Sequence, residues 1–147
     1  MANKQTLNLL FVAAIASIGI YIPPAIAATP GTWKGTADFG TFELVVNADG
    51  TGIERSDYNF SEWNCGPPPW AGGWGDLRPG GWEISGGAFS VLTEIPMPVG
   101  GLQGIGGQKI TLTGVFESAS RATGIWKTVS GGDECSGDWE ASLQDAE

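Results

Sequence analysis

Past residue 27, glycine clusters and turn residues interrupt this chain about every ten residues, so no stretch keeps the period of an amphipathic helix. Between the interruptions the runs are short and rich in threonine, valine, isoleucine and aromatics, the composition of strands. The clearest is Thr41–Asn47, where Phe42, Leu44 and Val46 share one face and Glu43 lies on the other. Asp49-Gly50 then makes a hairpin turn, and Gly86-Gly87 makes another. The full set of expected strands is Thr32–Ala37, Thr41–Asn47, Thr51–Tyr58, Trp82–Ser85, Ala88–Ile95, Gln108–Phe116, Ala122–Val129 and Gly137–Leu143. The third has a poor alternation, because Ile53, Arg55 and Asp57 would share a face. These runs predict an all-β domain, an antiparallel sandwich of about eight strands, with a meander barrel as the alternative.

The first residues read as a targeting segment. Lys4 supplies a positive charge, Leu7 to Ile22 is an almost unbroken apolar run, and Ala25-Ile26-Ala27 has the small-x-small pattern of a signal-peptidase site. Residues 1–27 are therefore expected to be a removed signal peptide, an uncleaved anchor being the alternative, and residues 28–147 a single β-domain. Location is then secreted or periplasmic, with no membrane span after cleavage. Of the charges beyond residue 27, six are basic and sixteen acidic, an excess that repels phosphate backbones and excludes nucleic acid as a partner.

The stretch from Trp63 to Trp82 holds four tryptophans, four prolines and six glycines around Cys65. Pro67-Pro68-Pro69 cannot sit in a helix or a central strand, so residues 59–81 are expected to form a loop. Cys65 and Cys135 are the only cysteines, and export to an oxidising compartment favours a disulfide over free thiols or a metal pair. If strands alternate in direction, the 59–81, 96–107 and 130–136 connections gather at one end. A Cys65–Cys135 bond agrees with that parity. Trp33, Trp126 and Trp139 lie within strand patterns and belong to the core, while Trp63 and Trp82 would anchor the loop. Trp70 and Trp74 would either fold down as a lid or stand as aromatic platforms, with Glu62, Asp76 and Arg78 as polar partners.

Gly31-Thr32-Trp33-Lys34-Gly35, then Gly114-Val115-Phe116, Ala122-Thr123-Gly124-Ile125-Trp126, Cys135 and Trp139, give a pattern that resembles a loose set of small secreted bacterial proteins. That resemblance implies a β-sandwich with one long-range disulfide and carries no catalytic residues. The stretch Gly31–Gly52 also resembles the first hairpin of avidin-like and lipocalin-like barrels, where the early tryptophan plugs one barrel end. The Tyr-x-Ser pattern by which avidins hold biotin is missing from the third strand, so the ligand is not carried over.

Histidine is absent, which removes Ser-His-Asp and Cys-His catalysis, and no nucleophile elbow is present. A carboxylate pair such as Asp76 with Glu62 could hydrolyse glycans, but no spacing singles it out. Asp133, Glu134 and Asp138 around Cys135 form a weak candidate calcium site. Gly100–Gly107 lacks the lysine of a phosphate loop. The expectation is a non-catalytic binding or surface protein without cofactor, its loop rim meeting a glycan or a protein surface. A carbohydrate-binding module or weak glycan hydrolase and a structural assembly subunit are the alternatives.

Overall fold

A computed structural model describes residues 27–63, 65, 70–95, 108–130 and 133–144, leaving out the side chains of 62, 63, 70, 71, 79, 80, 95, 108, 130 and 133. Eight strands follow in order: β1 (Gly31–Ala37), β2 (Gly40–Val46), β3 (Gly52–Trp63), β4 (Trp70–Ser85), β5 (Ala88–Ile95), β6 (Gln108–Phe116), β7 (Arg121–Ser130) and β8 (Asp133–Leu143). Each pairs antiparallel with its sequence neighbour, and β1 also pairs with β8, from Trp33↔Leu143 to Ala37↔Trp139. The sheet is thus a closed meander barrel, and the expected sandwich is corrected to its alternative. Closure removes both outer edges that a flat eight-strand sheet would leave open.

Glycine placed under large rings makes the narrow interior possible. The Phe42 ring occupies the space where a Cβ on Gly35 would stand, and the Trp139 indole does the same over Gly114 and Gly124. An eight-strand barrel is just wide enough to be filled by side chains. Trp33, Phe42, Leu44, Ile53, Val91, Ile110 and Leu112 fill it, each at most 2 % exposed. Burying such a side chain contributes about 1.5–3 kcal/mol.

β2 keeps the inward alternation read from its sequence, with Phe42, Leu44 and Val46 buried, and two hairpin turns form where expected. Gly86 and Gly87 both adopt positive φ (60° and 79°), as a two-residue hairpin needs. Asn47 Oδ1 accepts from the Thr51 and Gly52 amides at 2.9 and 3.1 Å, fixing the β2–β3 turn. On β3 a bulge between Ile53 and Arg55 resets the alternation, so Ile53, Ser56, Tyr58 and Phe60 all point inward. This resolves the poor pattern seen in sequence. Cross-strand ion pairs decorate the outside, Lys109–Glu94 at 2.8 Å and Lys34–Glu43 at 3.6 Å, both exposed and weakly stabilising.

The expected 59–81 loop is also corrected. β3 runs to Trp63 and β4 begins at Trp70, and these two residues still pair. Glycine and proline are tolerated because β4 pairs with β5 only at Ile84↔Phe89 and Ser85↔Ala88. Above those rungs β4 is an edge among the described residues, and Pro79 lies in a four-residue bulge, Arg78 to Gly81, opposite Glu54 alone.

The two ends differ. At the end where β1 begins, Trp33 Nε1 donates to the Thr29 carbonyl at 3.0 Å and its ring meets Phe116 edge-on, while Ala28 is buried. At the other end Phe39 fills the mouth against Phe60 and Trp126, and Trp126 Nε1 donates to Asp38 Oδ1 at 2.7 Å. Here also stands the Cys65–Cys135 disulfide, with Cα atoms 6.0 Å apart. In a ring of eight, β4 and β8 lie opposite one another. The β3–β4 hairpin overshoots the last β2 rung, Gly40↔Phe60, and Cys65 beyond it is bonded to Cys135 of β8.

Candidate functional site

The upper part of β4 alternates in a simple way. Trp74 and Asp76 lie on the inner face opposite Tyr58 and Ser56, and Gly73, Gly75 and Leu77 lie on the outer face. Trp74 is half-buried and packs against the core, so it is neither a free platform nor a loop residue. Its indole Nε1 is buried and has no hydrogen-bond partner. The Nε1 atoms of Trp82 and Trp139 share that state, but those two side chains are buried outright, whereas Trp74 borders solvent.

Asp76 is half-buried beside Ser56 and near Tyr58, whose ionisation its charge opposes. Where the β4–β5 ladder stops, side-chain hydroxyls bridge β3 to β5 instead: Ser56 Oγ and Tyr58 Oη lie 3.2 and 3.4 Å from Thr93 Oγ1. All three residues are at most 3 % exposed. Burial pushes the Tyr58 hydroxyl up to about 12, the charges of Asp76 and Asp57 adding to the shift and the hydrogen bonds from Thr93 and Ser56 opposing it. Tyr58 is therefore neutral through the physiological range and serves as a hydrogen-bonding group, not a base.

A pH dependence follows from that shift. Because the folded-state value lies above the unfolded one, the unfolded chain sheds this proton first, and stability falls as pH rises from about 10 to about 12. The slope from this one group is about 1.4 kcal/mol per pH unit. Denaturant melts at alkaline pH should show it, and Tyr58→Phe should flatten the curve in that window while leaving neutral pH nearly unaffected. Equal slopes in the two proteins would refute the assignment.

The residues expected to form a site are only partly brought together. Arg78 is exposed and stacks its guanidinium over the Trp82 ring, 5.6 Å from the centroid, and it makes no ion pair with Asp76. Trp82 is buried, the anchor it was expected to be. The side chains of Glu62, Trp63 and Trp70 lie outside the described residues. Among the candidate calcium ligands, Asp133 has its side chain outside the description. Glu134 and Asp138 are both exposed on β8, four residues apart, which separates them by about 13 Å along an extended strand. Glu134 pairs with Lys127 at 3.6 Å, and no group of three metal-ligating side chains occurs among the described residues.

The chain matches no protein-family model, no curated protein and no solved structure. Function must then be argued from the geometry of β4 and its surroundings. Sequence reasoning missed Ser56, Tyr58 and Thr93. The signal for the first two was the period-two run Ser56, Tyr58, Phe60, hidden by the bulge that precedes it.

Proposed function

We propose that this chain is a secreted or periplasmic, non-catalytic binding protein whose contact face is the inner, upper part of β4. The observation that carries the reading is the pair Trp74 and Asp76. An indole donor without an acceptor and a half-buried carboxylate without a cation stand two residues apart on one face. Leaving a buried donor unmade costs about 1–3 kcal/mol, so a molecule that displaces the cover of Trp74 Nε1 and supplies the acceptor gains affinity there. A flat apolar surface with one donor and one acceptor suits a ligand that presents both.

The non-catalytic part rests on the absence of histidine and on a tyrosine that stays protonated. The leader-like residues 1–27 and the disulfide support export. No helix among the described residues is long and apolar enough to cross a membrane.

Intrinsic tryptophan fluorescence, titrated with panels of glycans and of peptides, tests the reading. Trp74→Phe keeps an aromatic ring but deletes the N–H and the reporting indole, and Asp76→Asn deletes the charge, so the affinities of both variants are read by calorimetry. Each should weaken the responding ligand about tenfold, the worth of one hydrogen bond to a charged or buried group. Unchanged affinity in both variants would place the contact elsewhere, and a silent titration would remove the proposal.

A further inference from the structure

We infer that Asn59 is the acceptor of an N-linked glycan, a modification separate from the β4 contact face. Asn59-Phe60-Ser61 reads Asn-x-Ser with x other than proline, and it is the one asparagine of five in the chain that is followed by this pattern. Such glycans are added to exported chains and sit on protein surfaces. The inference therefore rests on the export reading, which the leader-like residues 1–27 and the disulfide support. Three residues alone make a short motif, and the fold supplies two further observations.

The first is that strand alternation sorts the motif by face. Asn59 and Ser61 are exposed on the outside of β3, while Phe60 between them is 1 % exposed in the core. Asp57 precedes them on the same face, giving Asp-x-Asn-x-Ser with its three polar residues in one outward row. Asparagine is depleted in strands, and no hydrogen bond from its side chain to a described residue accounts for it here. The second observation is room. The rungs beside Asn59 are Thr41 on β2 and Gly73 on β4, both exposed. A Cβ on Gly73 would meet only the Tyr58 carbonyl, at 3.6 Å, so the wall there is bare backbone. A first sugar lies over Gly73 without displacing a side chain, and Trp74 and Asp76 stay on the opposite face.

The ladder fixes the order of events. At Asn59 the third strand is paired on both sides, to β2 and to β4, and Phe60 is held in the core. A transferase cannot draw that segment into its own site, so transfer precedes barrel closure, on the extended chain during export. Asn59 Nδ2 attacks the anomeric carbon of an oligosaccharide carried on a lipid pyrophosphate. The C–N bond forms as the C–O bond to phosphate breaks. The lipid pyrophosphate departs, and one Nδ2 proton passes to a base of the transferase. Ser61 supplies the hydroxyl by which the motif is read.

Mass spectrometry of the full chain, recovered from its native cells, tests the inference. The peptide containing Asn59 should carry the mass of an oligosaccharide, and fragmentation should locate it on that residue. Asn59→Gln and Ser61→Ala should each abolish the added mass, while Ser61→Thr should retain it. Both positions are exposed, so near-UV circular dichroism of the three variants should match the parent chain. Bare Asn59 in the recovered protein overturns the inference. So does a glycan that survives Ser61→Ala, because its attachment would then be read from some other feature.

Discussion

Replacing Cys65 and Cys135 together by serine should lower the melting temperature by roughly 10–25 °C. The bond closes a loop of sequence separation 70, for which chain-entropy reasoning gives about 4 kcal/mol, and each kcal/mol moves the midpoint of a domain this size by several degrees. The bond also does something local. It ties Cys65, next to the end of β3, to β8, so its loss should release amide protection first along β4, which has only two rungs to β5. Thermal melts by circular dichroism with exchange mapping give both readouts. A shift under about 3 °C with unchanged exchange on β4 would mean that side-chain packing alone keeps the hairpin across the mouth.

Trp139→Ala should cost about 3–5 kcal/mol, the range for emptying a buried tryptophan site. The indole is 3 % exposed and lies over Gly114 and Gly124, which pair with one another across β6 and β7. Its ring also meets Phe42 edge-on at 5.4 Å and packs against Phe89 at 5.8 Å. Two glycines cannot refill the space, so the cavity persists. Gly124→Ala attacks the same contact from the other side, since its Cβ would meet both the Thr113 carbonyl and the indole. Trp74→Ala should be milder because that side chain is only half-buried. Chemical denaturation of the three variants orders them, and a Trp139→Ala cost below that of Trp74→Ala would contradict this picture of the core.

Much of the wall was legible in the sequence because alternation is local. Phe42, Leu44 and Val46 are buried, and Trp33, Trp126 and Trp139 are core as their strand positions implied. The gathering of the first, third, fifth and seventh strand ends needed only alternating direction, and the Cys65–Cys135 bond agrees with it. Closure was harder, since it depends on β1 meeting β8 and on glycines of β6 and β7 lying beneath an indole of β8. No short window contains both halves of such a contact. β4 misled for another reason: proline is excluded from a strand only where its N–H must pair, and Pro79 falls in a bulge on a strand that has only two rungs to β5. Of the candidate site, Trp74 and Asp76 were visible as an aromatic and a carboxylate close in sequence. Their inward aim was not, because it is set by pairing with Tyr58 and Ser56 after the bulge.

The pairing of β1 with β8 has a consequence for orientation. The Gln144 amide donates to the Thr32 carbonyl at 2.9 Å, and Ala28 is buried at the same end, where β1 begins. Residues 27 and 144, the first and last described, therefore lie at the end of the barrel opposite the disulfide. A label joined at residue 27 or 144 would grip the barrel by its base, at the end away from the disulfide-strapped mouth. Immobilisation through either terminus should accordingly leave ligand access untouched, and a joined-terminus permutant reopened at Gly86-Gly87 should retain the same wall.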